Sequence, residues 1–157
     1  MKVKHILPIS MTLLFLISCS SNRQLLIKRN EYSGWRMSSY HLYTADKEFV
    51  EILKDSYNLY NGYGLKTILL QEIDGPNAMA IKIDIYKMKD RSGASGLYRR
   101  YQSFTQVPIG DEGSESPGLI TFSRKNYFIK ISALRNIDDN NNYLKSIAEI
   151  IDRKLKR

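Results

Sequence analysis

The chain has 157 residues, 43% hydrophobic and 25% charged, which suits one globular domain around a single core. Its formal charge is +8 and it holds one cysteine, so no disulfide can form within the chain. Beyond the first segment, no apolar stretch is long enough to span a bilayer.

The first segment reads as an export signal. Lys2 and Lys4 precede an apolar run from Ile6 to Ile17, interrupted by Pro8, Ser10 and Thr12. The run closes on Leu16-Ile17-Ser18-Cys19, which resembles a lipobox. A large apolar residue stands three places before the cysteine and a small one immediately before it. Ile17 stands where a small residue is usual. A buried cysteine in an ordinary apolar segment would not explain the charged start, the short apolar run and the cysteine in one register. Residues 1–18 are therefore expected to be removed, and the Cys19 thiol to carry diacylglycerol through a thioether. Each buried CH₂ of an acyl chain contributes about 0.8 kcal/mol, so two or three chains hold a protein firmly without spanning. Residues 19–26 are expected to form a lipid-anchored tether, and residues 27–157 a single domain. Ser20, in place of a retention aspartate, points to the outer membrane if the cell is Gram-negative. Without Lys2 and Lys4 the charge falls from +8 to +6. A basic balance suits anionic lipid or plain solubility, and an exported address argues against nucleic acid as a partner.

Leu25 to Ile27 either begin a strand or dock on the body. Ser39–Tyr43, after Gly34-Trp35, is aromatic and extended. Asp46 to Tyr60 has the spacing of an amphipathic helix, with Phe49, Leu53, Tyr57 and Tyr60 on one face, Thr44 as cap, and Asn61-Gly62 and Gly64 as stop. Leu65–Ile73 and Ala78–Met88 are strands around the turn Asp74-Gly75-Pro76-Asn77. In the second strand Ile81, Ile83 and Ile85 alternate with Lys82, Asp84 and Tyr86.

Ser92–Phe104 reads as a helix with an apolar stripe of Ala94, Leu97, Tyr98 and Tyr101. Gly93 and Gly96 would each cost it about 1 kcal/mol against Ala, which suggests a close packing contact. Gln106–Ser116 reads as a loop. Leu119–Ser123 and Tyr127–Leu134 are strands joined at Arg124-Lys125-Asn126. Asp138 and Asp139 open a last helix with Leu144, Ile147, Ala148, Ile151 and Leu155 on one face. Hairpins with helices between and after them give an α+β fold. A mainly antiparallel sheet is packed with about three helices, on one face, in a single layer-type domain.

Little catalytic chemistry is legible. His41 is the one histidine after the signal, and Cys19 is taken by lipid, so nucleophile–base sets and histidine–thiolate zinc sites lack members. No cofactor motif is present, and no phosphate-cradling loop. Asp111, Glu112 and Glu115 cluster in a glycine-bearing loop, the setting of a hydrolytic or metal-assisted site, although such clusters are ordinarily polar turns. Lys87, Lys89, Arg91, Arg99 and Arg100 surround one strand-to-helix junction. If they converge they suit anionic lipid, lipopolysaccharide or an acidic envelope partner; otherwise they form a solvated helix face.

The order of motifs is also familiar. Gly34-Trp35 is followed by Tyr43-Thr44-Ala45-Asp46-Lys47-Glu48-Phe49 and by Leu59-Tyr60-Asn61-Gly62-Tyr63-Gly64-Leu65. Ile83-Asp84-Ile85-Tyr86-Lys87-Met88 comes next, then Ala94-Ser95-Gly96-Leu97-Tyr98. Ile109-Gly110-Asp111-Glu112-Gly113 and Lys125-Asn126-Tyr127-Phe128-Ile129-Lys130-Ile131 complete the series. This order resembles an uncharacterised family of secreted bacterial domains, domain of unknown function 6599, and more distantly PsbP-like envelope lipoproteins. The resemblance implies an α/β sandwich and brings no catalytic residues. Together these readings favour a non-catalytic binding or accessory module anchored in the cell envelope. The alternatives are an enzyme centred on Asp111–Glu115 and a subunit of an envelope complex.

Overall fold

The computed structural model describes residues 22–135 and 141–157. The expected signal and Cys19 lie outside the described residues, as do Asp138 and Asp139. The elements, in chain order, are β1 (Arg36–Tyr43), α1 (Asp46–Leu53), α2 (Tyr57–Gly62), β2 (Leu65–Asp74), β3 (Ala80–Met88), α3 (Arg91–Tyr101), β4 (Thr105–Gln106), β5 (Glu112–Ser116), β6 (Leu119–Arg124), β7 (Tyr127–Arg135) and α4 (Asn142–Lys156). The strands form one sheet in the order β1-β2-β3-β7-β6-β5-β4. Every neighbouring pair is antiparallel, so the fold is α+β as the sequence indicates.

Strand alternation sends side chains to opposite faces, and here both faces are covered. One face is aliphatic: Leu69, Ile73, Ile81, Ile83, Ile85, Ile129 and Ile131, with Ile120 and Phe122, pack under Leu144, Ile147, Ala148, Ile151 and Leu155 of α4. Fully burying such a side chain contributes about 1.5–3 kcal/mol, which makes this layer the main source of stability. The other face carries Ile68, Tyr86, Met88 and Phe128 under Phe49 of α1, Tyr60 of α2 and Ala94, Leu97 and Tyr98 of α3. The expectation that helices cover one face is therefore corrected. The polar-looking side of β3 is buried too, with Asp84 and Tyr86 each 5% exposed.

Residues 22–27 are not a free tether. Asn22, Leu25, Leu26 and Ile27 are buried against the aliphatic face. The Asn22 amide donates to Thr67 Oγ1 (3.2 Å) and accepts from the Tyr127 hydroxyl (3.3 Å). Gln71, buried in β2, accepts from the Ile27 amide (2.9 Å) and donates to its carbonyl (2.8 Å), as a neighbouring strand would. Lys154 donates to the Leu26 carbonyl and to Glu31. The expected tether of 19–26 is corrected at Asn22, Leu25 and Leu26, which are docked because the two leucines supply apolar area to the face; residues 19–21 lie outside the described residues.

Three local expectations also change. The helix expected over Asp46–Tyr60 breaks at Lys54, which has φ 47°, and resumes as α2 after a short 3₁₀ turn at Lys54–Ser56. Asp55, Ser56 and Asn58 compete with the helical backbone there. The break lets both Phe49 and Tyr60 reach the sheet. Ala45, not Thr44, takes the cap position; the Glu48 carboxylate accepts from the amides of Thr44 (3.1 Å) and Ala45 (3.0 Å). The expected loop Gln106–Ser116 contains the last residue of β4 and all of β5, whose Glu, Gly and Ser have weak strand preference but pair with β6.

Gly93 and Gly96 do mark a close approach, although the partner is Tyr63 in the α2–β2 connection. A Cβ on Gly93 would lie 2.2 Å from the Tyr63 carbonyl oxygen, and one on Gly96 2.5 Å from its ring. At Gly62 a Cβ would meet nothing within 4 Å. Gly93→Ala should therefore destabilise the fold by about 1–3 kcal/mol, since backbone must shift. Gly62→Ala should stabilise it by about 0.5 kcal/mol through the unfolded chain. Urea unfolding of the two variants should give opposite signs; loss of stability in both would remove the packing argument.

Candidate functional site

The charged residues singled out in the sequence meet at one end of the sheet. β3 ends at Met88, and Asp90 caps α3 by accepting from the Gly93 amide (2.8 Å). Arg91, Ser95 and Arg99 then recur every fourth residue, so they share one side of α3. That side faces the start of β5. Arg91 Nη2 lies 3.2 Å from Asp111, and Arg99 Nη2 3.4 Å from Glu112. Glu112 also accepts from the hydroxyls of Ser95 and Ser123. These groups line a cavity of about 290 Å³.

Arg124, at the end of β6, ties this corner to α4. Its Nη1 reaches Asp111 (2.8 Å), while Nε (2.6 Å) and Nη2 (3.0 Å) grip both oxygens of Asp152. Lys156 adds a contact to Asp152 at 3.0 Å. Burial pushes the Asp152 carboxyl up, but the hydrogen bonds from Arg124 and Lys156 outweigh it and hold the group below the usual range. The same pair raises the Arg124 guanidinium. Arg91, Asp111, Arg124, Lys125, Asn126 and Lys156 line a second, shallow cavity of about 480 Å³.

The three loop carboxylates do not converge. Glu112 pairs across the sheet with Ser123 and faces α3. Glu115 pairs with Ile120 on the opposite face and is held by Lys145 (3.0 Å) and Asn141 (3.4 Å). Three residues apart on one strand means opposite faces, so the two cannot grip one ligand. Among the described residues no group of three His, Cys, Asp or Glu side chains gathers as metal ligands would. His41 is exposed on β1, with its ring 6.0 Å from that of Tyr43.

Of the five basic residues expected to converge, Arg91 and Arg99 do so, on the acidic loop. Lys87 Nζ sits 5.9 Å over the Tyr127 ring, beside the anchor point of Asn22. Lys89 packs near Gly64, and its amide donates to the Gly64 carbonyl (2.7 Å). Arg100 is exposed on α3 apart from these contacts.

One polar cluster was not legible in the sequence. Asp84 is buried beside Tyr86, with Lys82 Nζ 3.2 Å from Oδ1 and 3.3 Å from Oδ2. That ammonium is aligned to donate to Oδ2, which leaves Oδ1 without a hydrogen bond. Burial pushes the Asp84 carboxyl up against the pull of Lys82 and Lys130. Tyr86 and Tyr60, with rings 4.7 Å apart, are raised by the same burial. The missed signal was that a strand can alternate Ile with polar residues and still be covered on both sides.

Comparison with protein-family models, with curated proteins and with solved structures finds no match, so function must be argued from this chain's own residues.

Two variants probe the charges. Arg124→Met should cost about 2 kcal/mol, because Asp152 is left 7% exposed with a weaker partner. Asp152 is depressed in the folded state, so its contribution is present above the ordinary carboxylate range and lost as pH falls through the lower folded value. The Arg124→Met deficit should thus be largest near neutral pH. Asp84 has the opposite sign. Its folded carboxyl holds a proton more tightly than the unfolded one, so stability is lost as pH rises from the ordinary value through the raised one. Asp84→Asn should gain relative to the parent as pH rises above the ordinary carboxylate value. Urea midpoints from acid pH, below the ordinary carboxylate range, up to neutral pH test both, and a pH-independent difference would contradict the assignment.

Proposed function

We propose that the chain is a bacterial envelope lipoprotein, cut after Ser18 and acylated at Cys19, whose α+β domain is a non-catalytic binding or accessory module at the membrane surface. In a Gram-negative cell its address is the outer membrane, given Ser20 at the second mature position. The observation that carries this reading is the register of Lys2 and Lys4, the apolar run Ile6–Ile17 and Leu16-Ile17-Ser18-Cys19. The absence of any other cysteine leaves the thiol no disulfide partner within the chain.

The corner at α3 and β5 supports the binding half of the proposal. Asp111 is engaged by Arg91, Arg124 and the Lys125 amide, and Glu112 by Arg99 and the Ser95 and Ser123 hydroxyls, which suits a charged contact surface better than a proton-transfer pair. The partner classes that fit are an anionic lipid surface and an acidic envelope protein; nucleic acid does not share the compartment.

Cys19→Ser should leave an unprocessed precursor in the producing bacterium and abolish incorporation of labelled fatty acid. Labelling that persists in this variant would refute the anchor.

A further inference from the structure

The docked strap brings the start of the described chain to one end of the sheet. Asn22 is held at Thr67 and Tyr127, near the start of β2 and of β7. A chain spans at most about 3.6 Å per residue, so Cys19, three residues earlier, lies within ~11 Å of that point. Under the proposed anchoring, the acyl chains are therefore attached next to that end of the sheet. β2 rises about 3.4 Å per residue, which puts Glu72 ~24 Å from Leu65 along the sheet. The Asp74–Ala80 end cannot share a headgroup layer with Asn22 while the sheet stands upright.

The anchored end is basic. Lys66 flanks Thr67 on β2, Lys87 pairs with Thr67 on β3, and Lys89 and Lys125 lie in the adjoining turns. Lys66, Lys89 and Lys125 are exposed and make no ion pair among the described residues. Beside them Arg91, Arg124 and Lys156 share two carboxylates, Asp111 and Asp152, which leaves a further positive charge. Asp90, exposed beside Lys89, caps α3 and subtracts one charge, so the end remains positive.

We propose that this end, around Lys66, Lys87, Lys89 and Lys125, docks on anionic phospholipid headgroups, so that the domain stands upright on the leaflet that holds its acyl chains. The docking rests on the anchor at Cys19 and names the partner of the same site. Anchoring within ~11 Å raises the local concentration of headgroups, so weak individual contacts suffice. The opposite end, with the Gly75–Ala78 turn, is then presented away from the membrane.

The absence of other cysteines makes the test clean, because acylated Cys19 does not react with thiol dyes. Single reporters Asn61→Cys, beside Gly64 and Lys89, and Ser38→Cys, on β1 near Glu72, are dye-labelled in the mature acylated protein. The proteins are reconstituted in phosphatidylcholine vesicles with or without phosphatidylglycerol, each carrying a headgroup-attached quencher. With phosphatidylglycerol, quenching should be strong at residue 61 and weak at residue 38, and the contrast should shrink in phosphatidylcholine alone and at high salt. Each lysine near an anionic leaflet shifts the docked equilibrium by about fivefold, so Lys66→Glu with Lys89→Glu should reduce it by more than ~10-fold. Lys66→Gln with Lys89→Gln should give a smaller loss without introducing repulsion. Arg36→Glu with Arg135→Glu, the same charge change at the far end, should leave it intact. Equal quenching at both reporters, or a contrast indifferent to phosphatidylglycerol, overturns the docking while an acyl mass on Cys19 keeps the anchor. A missing acyl mass overturns the anchor and the docking with it.

Discussion

The amide of Gln71 decides where the chain begins its path across the domain. It is buried in a face otherwise built from isoleucine, leucine and phenylalanine, where an unpaired polar group would cost about 1–3 kcal/mol. Its two hydrogen bonds to the Ile27 backbone satisfy both the side chain and a strap residue that has no strand to join. With Ile27 pinned, Leu25 and Leu26 fall onto the same face, Lys154 closes over the Leu26 carbonyl, and Asn22 reaches Thr67 and Tyr127. The first described residue is thus buried and hydrogen-bonded to two strands. The sheet end at the start of β2 and of β7 is where the described chain enters the domain.

The two faces of the sheet are stabilised by different means. The α4 face is aliphatic and closed by a helix whose buried side chains recur at helical spacing. The other face mixes rings with charge: Phe128 stacks on Tyr86 and Tyr101, Tyr60 meets the same two tyrosines at a tilt, and Lys130 lies 4.9 Å over the Tyr101 ring. Asp84 sits at the margin of that layer, against the unfavourable effect of its burial. Lys82 and Lys130 offset part of this cost, and replacing such a pair with neutral groups is often neutral or stabilising. The short helices on this face are held by aromatic packing and by the Tyr63 approach to Gly93 and Gly96, not by their own length.

Where the sequence was legible, one physical signal dominated each segment. The helical stripe of α4 buries the five residues its spacing selects, and β2 and β3 pair around the Asp74–Asn77 turn as the turn residues demand. It was illegible where tertiary pairing overrode local preference. Glu112–Ser116 has little strand propensity, yet β6 recruits it; Asp46–Tyr60 keeps helical periodicity, yet breaks so that two aromatic groups can both be buried. Of the site, the composition of the basic and acidic clusters was readable, but their sorting was not. Arg91 and Arg99 are neutralised by Asp111 and Glu112, a contact between α3 and a segment more than ten residues away. Arg124, which was read as part of a turn, is the residue that joins them to Asp152.

That sorting bears directly on the surface near Cys19. If all the arginines and lysines of this end were unpaired, their mutual repulsion would favour spreading the corner apart. Instead Arg124 takes Asp111 and both oxygens of Asp152, so the β6–β7 turn, the start of β5 and the last turn of α4 are tied together. The exposed lysines then sit on a rigid base, and their entropy cost on meeting a surface is that of the side chains alone. Lysine suits this position better than arginine. Its hydrated point charge meets headgroup phosphates at many angles, whereas the planar guanidinium is used inward, where a two-oxygen grip on Asp152 fixes the geometry. The division between arginines that hold the corner and lysines that face outward is what lets a charged end be both stable and available to an anionic partner.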